Sequence, residues 1–162
     1  MELWKVIEGF EAYAISSMGR VRRITEGMTT GKIGIRKAVL TGNGYPFVSL
    51  YSKGKAKTRM VHQLVACAFI PNPLGLPQVN HVDGVKTHNG VDNLEWRSVL
   101  GNHRHALKLG LAGDSIFLNR CGRWEVKYSP EPYTVKFLGA FSTREEALAV
   151  RKSALDALPY VL

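Results

Sequence analysis

Short apolar runs separated by glycines dominate the first sixty residues. WKVI (4–7), YAIS (13–16), GRVRRI (19–24), KAVLT (37–41) and YPFVSLY (45–51) are rich in β-branched and aromatic residues, and Gly9, Gly19, Gly31, Gly34, Gly42, Gly44 and Gly54 punctuate them. This texture predicts a β-rich segment of short strands. The period then changes. In VHQLVACAF (61–69), Val61, Leu64, Val65 and Ala68 recur at helical spacing, which predicts a short buried helix. PNPLGLP (71–77) breaks regular structure, and QVNHVDG after it reads as a strand ending at His81. From Asp114 onward, IFLNRCGRWEVKYS and YTVKFLGAF predict three strands and STREEALAVRKSALDAL an amphipathic helix. On that helix Ala147, Leu148, Val150, Ala154, Leu155 and Leu158 fall on one face, and Ser142 with Glu145 forms a capping box. The fold class expected is α+β.

Charge adds a partner to this picture. The chain carries a net +9, and residues 1–60 hold eleven Lys/Arg against four Asp/Glu. The positive excess thus sits ahead of the histidine segment, which fits a polyanion such as nucleic acid. Arg20, Arg22, Arg23, Lys53, Lys55 and Lys57 are the candidate phosphate contacts there, with Lys86 further on. Trp4 and Tyr13 stand at strand spacing and read as core rather than as base-stacking residues. No run reaches the roughly 18 apolar residues needed to span a membrane, and MELWKVIEGF lacks a signal-peptide pattern. Cys67 and Cys121 lie far apart without a CxxC, which excludes a zinc ribbon; Cys67, inside LVACAF, reads as a small core residue.

The densest chemistry lies in VNHVDGVKTHNGVDNLEWRSVLGN (79–102). His81 stands between Asn80 and Asp83, a Gly turn follows at Gly84, and amides recur at Asn89, Asn93 and Asn102. An imidazole able to accept a proton, side-chain oxygens able to hold a hard cation and an amide able to orient the ring suffice to hydrolyse a phosphodiester with one metal ion. For Asp83 an Asx-turn with Gly84 is the simpler role, and for Asn89 turn formation. His62 reads as a satisfied structural histidine, Trp96 as core, and His88 and His103 carry no assignment. His105, three residues beyond Asn102, is a reserve ligand.

These residues, in this order, resemble the HNH (His-Me finger, ββα-metal) nucleases, and most closely the HNH homing endonucleases of phages and their introns, where VNHVDG, NLEW and the trailing Asn recur. The opening WKVIEGFEAYAISSMGRVRRI resembles the nuclease-associated modular motif that begins many of them. GRW (122–124), LGAF (138–141) and EEA (145–147) resemble the Apetala-type DNA-binding domain, a three-stranded sheet on one helix. The resemblance implies a basic β-rich module at 1–58, a ββα-metal core at 59–112 and an Apetala-like DNA reader at 113–162. In the core, GVKTHNGVDNLEW would form the hairpin loop and second strand, and RSVLGNHRHALKLG the helix. It further implies His81 as general base, Asn93 as the acceptor orienting its ring, and Asn80 and Asn102 as ligands of one Mg²⁺ or Mn²⁺. Some relatives carry Asp where this chain has Asn80, so weak metal affinity before DNA phosphate joins is expected. In the tail, Arg123 and Trp124 match the DNA-contacting positions. The implied activity is a site-preferring, strand-nicking DNA endonuclease acting as a monomer on double-stranded DNA in the cytoplasm of a bacterium or phage-infected cell. Its rivals are a DNA-binding protein whose nuclease centre has decayed and a structure-directed nuclease acting on junctions or RNA.

Overall fold

The short strands of the first sixty residues pair antiparallel in two sheets. The structure, a computed structural model, describes residues 1–25, 32–111, 116–131 and 134–159. The module boundary expected between 112 and 113 lies outside those residues, as does Asp114. Antiparallel pairing of β1 (Trp4–Ile7), β2 (Phe10–Ser16), β3 (Val21–Arg23) and β4 (Gly34–Arg36), in that order, makes a four-stranded sheet. A second sheet joins β5 (Val39–Leu40), β6 (Pro46–Ser52) and β7 (Lys55–Met60). In β6, Pro46, Val48 and Leu50 point inward while Ser49 and Tyr51 face solvent. Ser52 pairs with Lys55 across Lys53 and Gly54, both at positive φ (51° and 74°), the signature of a tight hairpin turn.

Two strands were invisible in the hydrophobic pattern. Both β4 and β7 are edge strands of their sheets, and an edge strand with little buried surface needs no apolar alternation. Lys55–Arg59 of β7 is exposed throughout and carries no apolar alternation.

Helix α1 (Val61–Phe69) forms where its period predicts, and its Val61, Leu64 and Val65 join Ile7, Phe10, Tyr13, Ile15 and Val21 of the first sheet, Val48 and Leu50 of β6, and Leu94 in one core. Tyr13 is fully buried, its hydroxyl accepting from Arg23 Nη1 and the Tyr51 amide, so it is core. Trp4 is half-buried beneath the Arg22 guanidinium, which lies 4.2 Å from its ring centroid. Cys67 departs from expectation: it is exposed, two residues past the fully buried Val65 and so on the far side of α1 from it. Strand β8 (Gln78–His81) ends at the histidine and pairs with β9 (Leu94–Arg97), one turn of 3₁₀ helix (Val91–Asn93) leading into the latter.

The described residues form two compact units, one running to Trp96 and the other from Arg97 onward. The second opens with α2 (Val99–Lys108), whose N-cap Ser98 accepts from the Gly101 amide at 3.0 Å. Strands β10 (Ile116–Leu118), β11 (Trp124–Tyr128) and β12 (Lys136–Phe141) form a three-stranded antiparallel sheet, and α3 (Arg144–Asp156) follows. The capping box of α3 is one residue later than expected, Thr143 with Glu146, since Thr143 has the extended backbone a cap requires. Ala147 and Leu155 are buried and Leu148 is exposed, which narrows the apolar face. His103 donates from Nε2 to the Ser129 carbonyl (2.8 Å) and Arg104 from Nε to that of Pro130 (3.1 Å), tying α2 to the end of β11.

Candidate active site

His81 is the last residue of β8, and the pleat turns its side chain inward, leaving it 6% exposed. Two aromatic rings pack near it. His62, from the first turn of α1, lies with its ring centroid 5.3 Å from that of His81, and Tyr45 lies 5.2 Å from His62 and 6.1 Å from His81. Burial, and then the neighbouring His81, push the His62 pKa down to about 4, so His62 is a neutral ring near pH 7. Its Nδ1 is buried with no hydrogen-bond partner among the described residues, which departs from the satisfied histidine expected. His62 is buried on the first turn of α1, and nothing in the sequence placed it against His81.

The amide that meets the imidazole is Asn89, not Asn93. Asn89 Oδ1 lies 2.9 Å from His81 Nε2 and both side chains are buried. Asn93 instead organises the loop that follows His81. Its Nδ2 donates to Asp83 Oδ1 and to the His88 carbonyl, both at 2.9 Å, and its Oδ1 accepts from the Asp83 amide at 3.1 Å. Both residues are asparagines after a glycine turn, so their types alone do not say which of them reaches the ring.

Asp83 makes the Asx-turn read from the sequence, accepting from the Val85 amide at 2.8 Å across Gly84, whose φ is +74°. Its other oxygen lies 2.7 Å from His88 Nδ1. The His88 hydrogen bond, followed by that from Val85, lowers the Asp83 pKa to about 2. His88, unassigned from sequence, is thus the loop partner of Asp83. Beside His81, the buried Asn80 donates from Nδ2 to Glu95 Oε1 of β9 at 2.8 Å, which sets the plane of its amide. Trp96 is half-buried and donates from Nε1 to the Ile70 carbonyl at 3.1 Å. Asn102 and His105 lie on α2, in the second unit.

The basic candidates divide by what already holds them. Arg20 pairs with Glu2, whose carboxyl is lowered to about 2 chiefly by that hydrogen bond. Arg22 lies on Trp4, and Arg23 donates to Tyr13 Oη and the Thr25 carbonyl. Lys53, Lys55 and Lys57 are exposed on the β6–β7 hairpin, with Arg59 continuing the row. Lys86 donates to the Asn43 carbonyl (3.0 Å) with its ammonium 4.8 Å from the Tyr45 ring centroid. In the second unit, exposed Arg123 donates to the Ala140 carbonyl (2.7 Å), and half-buried Trp124 has Arg144 5.9 Å from its ring centroid.

Residues 2–51 match the family described as the NUMOD4 motif, in agreement with the reading of the opening residues. An HNH endonuclease of Acanthamoeba polyphaga mimivirus is 37% identical over 123 residues, 76% of this chain and 34% of the relative. A match of that length in a chain of 162 residues necessarily includes the segment from His81 to Asn102. The DNA endonuclease I-HmuI of Bacillus phage SP01 is 37% identical over 94 residues, 57% of this chain and 51% of the relative. The chain therefore spans about a third to about a half of the length of these curated relatives. The solved structure titled "DNA binding and cleavage by the HNH homing endonuclease I-HmuI" superposes with a TM-score of 0.59 at 35% identity, covering 70% of this chain and 62% of that one. By sequence and by fold, this chain is similar to the HNH homing endonucleases.

Proposed function

We propose that this chain is a divalent-metal-dependent DNA endonuclease of the HNH homing type that nicks one strand of duplex DNA at a preferred site. The observation that carries the reading is the buried imidazole of His81, held at a strand end by an amide oxygen and adjacent to Asn80, in a chain similar to HNH endonucleases. A neutral His81 accepts a proton from water as that water attacks phosphorus, and the 3′ oxygen of the broken ester departs. The Asn80 amide and the Glu95 carboxylate that accepts from it offer oxygen donors. Among the described residues no three His, Cys, Asp or Glu side chains gather as a metal cage. Such a donor set fits Mg²⁺ or Mn²⁺, which are commonly held by one or two protein oxygens together with substrate phosphate. Asn80 and Asn102 are the proposed ligands, and when bound the cation supplies charge neutralisation of the phosphate and leaving oxygen.

In this reading the basic N-terminal residues and the exposed Lys53–Lys57 hairpin grip phosphates, while the C-terminal sheet and helix form an Apetala-like reader that contributes site preference through Arg123 and Trp124. The protein acts as a monomer in the cytoplasm of a bacterial or phage-infected cell. No helix among the described residues is long and apolar enough to cross a membrane.

The test follows supercoiled plasmid with Mg²⁺ or Mn²⁺ under single-turnover conditions, with solution mass measured alongside. Open circles should accumulate from a monomer. His81→Ala should slow cleavage by at least about a hundredfold while duplex affinity stays within about twofold, since the base acts in the transition state. Binding without cleavage by the unaltered chain in either metal would make it a decayed binding protein. Linear DNA formed directly by a dimer would overturn nicking.

A further inference from the structure

We propose that Asn89 is the positioning residue for His81: it fixes the ring as the Nε2–H tautomer and so leaves Nδ1 as the nitrogen that accepts the proton. The inference rests on the nuclease reading for its functional consequence but not for its structural content. Two hydrogen bonds decide the tautomer. A carboxamide can face an imidazole with either end, and only its oxygen forces the ring nitrogen to carry a hydrogen. The Asn89 Nδ2 is already committed, donating to the Thr87 carbonyl at 3.1 Å. Its Oδ1 is the end that meets His81 Nε2, at 2.9 Å. An acceptor there requires a proton on Nε2, and in the neutral ring Nδ1 then holds the lone pair.

The turn between β2 and β3 holds Asn89 in place. Ser16 closes this turn, accepting at its hydroxyl from the Met18 and Arg20 amides, and Gly19 sits at its tip with φ +78°. The Ser17 carbonyl accepts from the Val91 amide at 2.9 Å, docking the turn beside the Asn89–Gly90 segment. Gly19 lies so close that a Cβ there would fall 2.8 Å from Asn89 Cβ and 3.0 Å from the Asn89 carbonyl oxygen. Both atoms belong to or adjoin the backbone of a buried residue, so neither yields cheaply. The N-terminal motif, which reads in sequence as a DNA-binding module, therefore also builds the support of the histidine. The path thus runs from Gly19 through Asn89 to His81, and each link is a contact within the first unit.

The experiment has two arms. In the first, ¹⁵N-histidine-labelled full-length protein is followed by two-dimensional NMR at a pH where the His81 ring is neutral, with His81→Gln used to assign its signals. The expected spectrum has a pyrrole-type Nε2 and a pyridine-type Nδ1. Asn89→Ala should average the two nitrogens, and Asn89→Asp, which keeps an acceptor, should restore the unaltered pattern. The other four histidines report whether each variant is folded. A pyrrole-type Nδ1 in the unaltered protein, or a signature indifferent to Asn89→Ala, overturns the proposal. In the second arm, single-turnover cleavage of plasmid with Mn²⁺ should fall about tenfold or more in Asn89→Ala and in Gly19→Ala at unchanged duplex affinity. Loss of DNA binding in parallel with cleavage would overturn the positioning role. A chain that never cuts DNA would sink the nuclease reading alone, because the tautomer is still decided by the first arm.

Discussion

Replacing Asn93 by alanine should destabilise the first unit and disorder the loop that carries the site. Asn93 is 6% exposed and its amide makes three hydrogen bonds, to the Asp83 carboxylate, the His88 carbonyl and the Asp83 amide. A bond to a charged group contributes about 2 kcal/mol and each neutral one about 1 kcal/mol. Their loss is not additive, because Asp83 and His88 lie at the surface and recover some hydration; a net cost of about 3 kcal/mol is expected. For a unit the size of Met1–Trp96, that corresponds to a fall in Tm of roughly 12–24 °C. Urea denaturation monitored by tryptophan fluorescence measures it directly, since Trp4 and Trp96 both lie in that unit. Asn93→Asp is the informative companion. It keeps an acceptor for the Asp83 amide but loses both donors and sets a second carboxylate beside Asp83, so it should be at least as damaging. Cleavage should fall with both, because the same loop presents Asn89. A cost below about 0.5 kcal/mol for Asn93→Ala would show that the amide merely decorates the loop.

Duplex binding should weaken steeply with salt, and reversing Lys53, Lys55 and Lys57 should reduce the slope of log K against log salt by about 0.9 for each phosphate that is no longer neutralised; an unchanged slope puts the DNA path elsewhere. Stability should fall as pH drops from about 6.5 toward 4, because the folded state holds His62 neutral with a pKa near 4 while the unfolded chain protonates first. His62→Phe should flatten that window, and an identical pH profile in the variant refutes the assignment. Asp83 works lower: its folded pKa is near 2, so its contribution is complete above about 4 and is lost as pH falls toward 2, and Asp83→Asn should remove that acid-labile share. Deleting residues 113–162 takes away the Ser129 and Pro130 carbonyls that hold His103 and Arg104, so α2 should melt as well. The helical circular-dichroism signal should then drop by more than the 13 residues of α3, and a drop equal to α3 alone would show α2 to be independent.

The opening strand β1, the helix over Val61–Phe69 and the strand ending at His81 were legible because each has a local cause: aromatic and β-branched residues, a helical apolar period, and a Pro-Gly break before a short strand. The same holds for the Asx-turn at Asp83 and for the three strands and helix of the tail, where local propensity and burial agree. Composition likewise marked the basic N-terminal half, and residue order marked the likeness to HNH endonucleases. Tertiary structure decided what local pattern leaves degenerate. Edge strands β4 and β7 bury too little to need a pattern, so only their pairing partners reveal them. Asn89 and Asn93 are chemically identical and four residues apart, and which one meets His81 depends on how the loop folds back and on the Gly19 turn, some seventy residues earlier in the chain. The approach of His62 to His81 was hidden for the same reason. A side chain's period tells which face is buried, but its neighbour is chosen by the packing of elements distant in sequence.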